Sequence, residues 1–185
     1  MRKLSDWLIR VSSGWVTLAA LIVFVLFMIL VLPAQTKRAD AASAGADTPD
    51  LSLVYSANDL YRMAESYGAD GRQEYIRIRF SFDLAWPLVY AIFLVTATSW
   101  MFAKAFVPGS NWRLVNLIPL VGMLLDFLEN IATSLVMLRY PSRTPIVDIL
   151  APVFSFTKWI VLGASFTLLV IGIVAAVWKW IKSKK

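Results

Sequence analysis

Four apolar runs dominate the chain, at about 14–32, 82–106, 114–138 and 152–178. Each approaches or exceeds the roughly 20 residues that a helix rising 1.5 Å per residue needs to cross a bilayer. Inside hydrocarbon every backbone amide and carbonyl must be bonded within the protein, which leaves helices or a closed barrel, and uninterrupted runs of this length read as helices. The composition agrees, with 59% of residues apolar and only 16% charged; soluble domains sit near 45–50% and about 25%. The expected fold is all-α: a four-helix transmembrane bundle, residues 1–185 forming a single membrane domain, with a small extracytoplasmic helical cap in the loop of about 33–81 between spans one and two.

An even number of spans puts both termini on one side. Arg2, Lys3 and Arg10 precede the first run, Lys179, Lys182, Lys184 and Lys185 follow the last, and the short connection between spans two and three holds Lys104 and Arg113 with no acid. The positive-inside rule therefore predicts cytoplasmic termini. The loop between spans one and two sets seven acids (Asp40, Asp47, Asp50, Asp59, Glu65, Asp70, Glu74) against six basic residues, and its length makes it count less. A cleaved signal peptide ending near Ala42–Ala44 is the competing reading of the N-terminus, but the apolar run exceeds the 7–15 residues of such a segment. The net charge of +6 lies beside the apolar runs, as juxtamembrane basic clusters do, which argues for lipid and against nucleic acid as a partner. Trp7, Trp15, Trp112, Trp178 and Trp180 fall at expected interface depths.

The chain has no Cys and no His. That removes disulfides, thiol redox work, Cys or His zinc sites, His-ligated haem, Cys-ligated iron–sulfur clusters and the usual Ser-His or Cys-His nucleophiles. No cofactor is expected, haem and zinc included, and carboxylate, Lys, Tyr and amide chemistry remain.

Within the loop, 34–49 has no apolar period and reads as flexible. Ser56-Ala-Asn-Asp59 then resembles a capping box with Asp in the Glu place, and Leu60, Met63, Ala64 and Tyr67 follow at helical spacing until Gly68 offers a stop. Asp70 can cap a second start. From Arg72 the pattern predicts one long helix running into span two, with Tyr75, Ile78, Phe82 and Trp86 a turn apart and Pro87 kinking it. Pro108-Gly109 and Tyr140-Pro141 end spans two and three.

The informative residues are ionisable groups where lipid should be, each costing about 2.5–3.5 kcal/mol even on the lenient insertion scale unless it faces protein or water. Span three carries Asp126, Glu129 and Asn130 on one face, spaced i, i+3 and i+4. Span four carries Lys158, with Ser155 a turn earlier, and span two carries Asp83 with Arg79 a turn outside it and Tyr90 two turns deeper. Glu129 lies roughly 13 Å from its helix end, Lys158 roughly 9 Å and Tyr90 roughly 12 Å, so they share a level. Lys158 is expected to pair with Glu129 or Asp126. Two carboxylates beside one ammonium leave a surplus negative charge, which apolar surroundings resolve by protonating one acid; Glu129 as the paired acid and Asp126 as the proton holder is one assignment, and the reverse stays open. Trp86 and Trp159 are candidate pocket walls. A purely structural role for the ion pair, holding helices in register, is the plain alternative, and it weighs more for Asp83 with Arg79.

The pattern Tyr75, then Asp83-Leu-Ala-Trp-Pro87-Leu-Val-Tyr90, Asp126-Phe-Leu-Glu129-Asn130, Tyr140-Pro141 and Lys158-Trp159 resembles a family of small bacterial four-span integral membrane proteins of uncharacterised activity. The similarity covers about 55–178. It implies a shared fold, a shared polar cluster and a bacterial inner-membrane location. In architecture alone the chain is also similar to EXPERA-type four-helix membrane proteins, whose enzymes use a His this chain lacks. No residue is carried over from that group.

Three function classes follow, ranked here. The first is binding of a lipid or amphiphilic small molecule, its polar or cationic group meeting Asp126, Glu129 and Asn130 with Asp83, Tyr90 and Lys158 nearby. The second is a subunit or assembly factor of a membrane complex, with another membrane protein as partner and the cluster structural. The third is an intramembrane acid–base enzyme acting on a lipid-soluble substrate, with one raised-pKa carboxyl as acid–base and Lys158 setting its partner; transport ranks lower, since no inverted repeat is visible.

Overall fold

The computed structural model describes residues 1–43, 45, 47–49 and 52–184. Ala44, Asp50 and Lys185, which enter the reading above, lie outside the described residues. Among the described residues the chain is all-helical. Its elements are α1 (Arg2–Val11), α2 (Gly14–Leu26), a π-helical turn (Phe27–Val31), α3 (Leu32–Ser43), α4 (Ala57–Ser66), α5 (Gly68–Arg79), α6 (Phe82–Ala105), a 3₁₀ segment (Asn111–Leu117), α7 (Ile118–Arg139) and α8 (Val147–Lys182). Four helical stretches are long and apolar enough to cross a membrane: Gly14–Ser43, Gly68–Ala105, Asn111–Arg139 and Val147–Lys182. In the first of them only 6% of the most apolar window is buried within the protein, so its Leu, Ile and Val side chains are left for lipid to cover.

The helices group into two compact units, one of residues 1–25, 89–122 and 160–185, the other of 26–88 and 123–159. The charges divide between them unevenly. The first unit carries nine basic residues and one acid, Asp6, whereas the second carries nine basic residues and eleven acids.

In the first unit α1 is a short amphipathic helix, placed before the first span, that the sequence reading did not anticipate. It is anchored by Ser5, whose buried hydroxyl donates to the Asn116 Oδ1 at 2.9 Å, while the Asn116 amide donates to the Ser99 hydroxyl at 2.9 Å. Arg2 donates to Asn111 at 2.7 Å. The small side chain at Ser5 lets the helix approach closely, and its apolar residues Leu4, Trp7 and Val11 point outward. The belt tryptophans Trp7, Trp15, Trp112, Trp178 and Trp180 are all exposed and all in this unit.

The second unit has the larger described core, with Leu60, Ala64, Tyr67 and Tyr75 from α4, α5 and their junction packed against Ala132, Val136, Met137 and Ala151. Burying a Leu or Val side chain contributes about 1.5–3 kcal/mol, and Leu60 and Val136 are wholly buried. The chain reaches this arrangement through local signals. Ser56 accepts from the Asp59 amide while the Asp59 carboxylate accepts from the Ser56 amide at 2.8 Å, closing the capping box, and Gly68, at φ 62, makes the left-handed turn between α4 and α5 that other residues resist. Tyr61 ties α4 to the loop before α8: its hydroxyl donates to Asp148 Oδ2 at 3.1 Å and accepts from the Thr144 amide at 2.6 Å.

Two local expectations are corrected. The segment 34–49 does not read as a flexible stretch throughout, because helix continues through α3 to Ser43; a helix already nucleated by the apolar run propagates into an Ala-rich sequence without a new nucleation cost. The long helix expected from Arg72 onward is interrupted at Phe80–Ser81, where Phe80 leaves helical geometry at ψ 13 and the Ser81 hydroxyl donates back to the Arg77 carbonyl at 2.7 Å.

The capping box makes an acid-sensitive start to α4. The Ser56 hydroxyl first, then the Ser56 amide, hold the Asp59 carboxyl below its ordinary value of 3.8, so the cap contributes fully above that value and fades as pH falls through the lowered one. The protection of the first-turn amides of α4, measured against the intrinsic exchange rate at each pH, should therefore fall on acidification below about pH 4. Ser56→Ala should raise exchange there roughly fivefold at neutral pH, the usual scale of a lost cap, and flatten the acid dependence. Unchanged exchange in Ser56→Ala would show that packing alone holds the turn.

Candidate functional site

The second unit gathers the ionisable residues from four helices. The end of α5 supplies Arg79, the start of α6 supplies Asp83, α7 supplies Asp126, Glu129 and Asn130, and α8 supplies Lys158, and all six are buried. On α7 the i, i+3, i+4 spacing sets Asp126, Glu129 and Asn130 on one face. Lys158 meets that face with its ammonium 2.5 Å from Glu129 Oε2 and 3.8 Å from Asp126 Oδ1. Glu129 is thus the closer partner and Asp126 the more distant one.

Arg79 pairs with Asp83 one helical turn on, its guanidinium 4.4 Å over the Tyr75 ring. Asn130 links the two pairs: its amide donates to the Asp83 carbonyl at 3.3 Å and lies 3.5 Å from Asp126 Oδ1. Asp83 in turn feels the charges of Asp126 and Lys158. Three carboxylates (Asp83, Asp126, Glu129) therefore share two cations (Arg79, Lys158), a surplus of one negative charge in a buried setting. At the short separations here a pair interacts by about 4 kcal/mol at an effective dielectric of 20, so the surplus is a force on any proton or cation that can enter.

Hydrogen bonding is also incomplete. Glu129 is 0% exposed, yet its Oε1 has no hydrogen-bond partner, and the same holds for Asn130 Oδ1 and for the buried hydroxyls of Tyr55, Tyr75 and Ser155. Tyr75 has the Thr133 hydroxyl within bonding reach and Glu129, Tyr55 and Tyr67 as electrostatic neighbours. Burial first, and then the charge of Glu129, push the Tyr55 phenol well above its ordinary value, with the Ser155 hydroxyl alongside. Such groups stay neutral donors, and the Glu129 carboxylate has the hydroxyls of Tyr55, Tyr75 and Ser155 as neighbours, with Ser155 within bonding reach of both Glu129 and Tyr55. Leaving a buried polar group unbonded costs about 1–3 kcal/mol.

Of the other residues singled out from sequence, Trp86 stacks on Phe27 with ring centroids 5.6 Å apart. Trp159 is 37% exposed, and the Lys158 ammonium lies 5.3 Å from its ring centre. Tyr90 is buried in the first unit, while the rest of the cluster belongs to the second. Sequence reasoning missed Tyr55 as a site residue, because it precedes α4 in a loop without periodicity. Tyr75 and Ser155 carried a signal, one as the first residue of the family-like pattern, the other one turn before Lys158.

No family model, no curated protein and no solved structure matches the chain. The fold itself defines the class: an all-helical protein with four helices long and apolar enough to cross a membrane, carrying a buried, incompletely bonded ion-pair cluster.

Proposed function

We propose that this is a bacterial inner-membrane protein of the small four-span kind it resembles, with both termini cytoplasmic, that binds a lipid or amphiphilic small molecule by its polar head at the Asp83–Asp126–Glu129–Asn130–Lys158 cluster. The orientation is supported by the nine basic residues against one acid in the unit holding both termini and the 106–118 connection. The binding reading is carried by the wholly buried Glu129, whose Oε1 makes no close hydrogen bond and which has the hydroxyls of Tyr55, Tyr75 and Ser155 as neighbours. A head group with a positive nitrogen and hydrogen-bonding oxygens answers both shortages, since the nitrogen offsets the surplus carboxylate and the oxygens accept from the tyrosines. A purely structural ion pair calls for closed bonding instead.

The test is native mass spectrometry with lipid identification on gently extracted protein, comparing wild type with Glu129→Gln. The expected result is one amine-bearing lipid or amphiphile retained well above the bulk lipid background by wild type and lost from a Glu129→Gln protein whose helicity and elution are unchanged. Equal adducts in both, or only background lipid on wild type, would refute the reading.

A subunit or assembly role is the second reading, and one feature favours it. Ile146, at the entrance to α8, is 69% exposed and has φ 73, a left-handed backbone that a β-branched residue adopts only at a cost of about 1–3 kcal/mol. Val54 is also 73% exposed. Under this reading the same spectra contain a partner chain, and its loss on Ile146→Asn identifies the contact.

A further inference from the structure

The first unit has a feature that the proposed head-group site does not use. A groove of about 470 Å³ runs between the end of α6 and the end of α8, lined by Met101 and Lys104 from the one, by Ala176, Val177, Lys179 and Trp180 from the other, and by Ser183 just beyond it. Its wall is apolar apart from two ammonium groups and a hydroxyl, and no acid lines it. The only acid in the whole unit is Asp6, so neither lysine has a carboxylate partner among the described residues. Lys104 instead leans on the Trp100 ring, 4.0 Å from its centre.

Position sorts these residues by depth. Lys104 is one residue from the end of α6, and Lys179 is three from the end of α8. Both lie in last turns, where the helix dipole favours cations and where long side chains reach toward the head-group layer. Met101 and Ala176 lie about a turn further into their helices, where hydrocarbon begins. The groove is therefore cationic at its mouth and apolar within.

We propose that this groove is a binding site for an anionic phospholipid, Lys104 and Lys179 holding the phosphate and Met101, Ala176 and Val177 contacting the upper part of an acyl chain. Free phosphate would satisfy the two ammonium groups but leave the apolar wall bare, so the lipid is the better fit. A zwitterionic lipid brings its own cation beside the lysines and fits worse. The site lies entirely in the first unit and stands whether or not the cluster around Glu129 binds anything.

The experiment uses full-length protein in detergent, titrated with phosphatidylglycerol, with phosphatidylcholine, or with phosphatidylglycerol in the presence of millimolar inorganic phosphate, and reads bound lipid by native mass spectrometry. Wild type should retain phosphatidylglycerol over phosphatidylcholine, and phosphate should not displace it. Lys104→Gln/Lys179→Gln should lose that retention roughly tenfold or more, each lysine acting on the scale of a basic residue at an anionic leaflet. Lys3→Gln/Lys182→Gln removes the same charge from the same unit outside the groove and should retain the lipid. Equal loss in both double variants, equal retention of the two lipids by wild type, or displacement by phosphate would each overturn the proposal. The thermal midpoint of each variant, unchanged from wild type, confirms that the comparison is between folded proteins.

Discussion

Replacing Lys158 by Met should lower the stability of the detergent-solubilised protein by about 3–5 kcal/mol, the loss seen when one partner of a buried ion pair is removed and the other is left uncompensated. The Lys158 ammonium is the one cation within 4 Å of both Glu129 and Asp126 among the described residues. Without it, Glu129 is a wholly buried carboxylate with no cation within 4 Å among the described residues. The informative comparison is the double variant Glu129→Gln/Lys158→Met, in which neither charge remains. Neutral replacement of a buried pair is often close to cost-free, so the double variant should recover most of the loss, and the coupling between the two sites should reach 1–3 kcal/mol. Thermal or denaturant unfolding followed by circular dichroism reads all three. A loss below about 1 kcal/mol in Lys158→Met would place the ammonium in water and remove the physical basis of the cluster.

The second large effect concerns packing. A Cβ at Gly71 would collide with the backbone carbonyl oxygen of Ala42 and approach the Tyr67 Cβ to 3.3 Å. Neither can swing aside as the tip of a long side chain can, so α3 and α5 must part. In a free helix Gly→Ala gains about 1 kcal/mol, yet overpacking of this kind typically costs about 1–3 kcal/mol and at times more. Gly71→Ala should therefore destabilise by about 2 kcal/mol and speed amide exchange along α3. Gly163, in the interior of α8, is the control, since nothing lies within 4 Å of a Cβ there; Gly163→Ala should stabilise by up to about 1 kcal/mol. Opposite signs at the two glycines are the signature. A gain at both would mean that α3 yields easily and is not fixed against α5.

The contrast between these two sites also shows what a sequence can and cannot disclose. The apolar helices were legible because lipid permits so few residue types for so many consecutive positions. Asp126, Glu129 and Asn130 were legible because a polar residue in such a run must have a reason, and helical spacing supplied the shared face. Depth counting then brought Lys158 to the same level. Gly71 carried no such mark. Its importance depends on Ala42, which lies in an Ala-rich polar stretch that reads as unstructured because it lacks periodicity, although it is helical up to Ser43. Tyr55 was hidden for the same reason, its neighbours Glu129 and Ser155 being distant in sequence.

The π-helical turn at Phe27–Val31 gives the first long helix an insertion of its own. Such a turn accommodates one residue more than an α-helical turn does, so every side chain beyond it is swung by about 100° from where an uninterrupted helix would aim it. Shortening the turn by one residue would restore ordinary winding and rotate Ala42 away from Gly71. The ring of Phe27, stacked on Phe82 at 5.5 Å and on Trp86 at 5.6 Å, sits at the first residue of that turn, where it acts as the detent of a ratchet: the aromatic stack fixes the azimuth from which α3 continues.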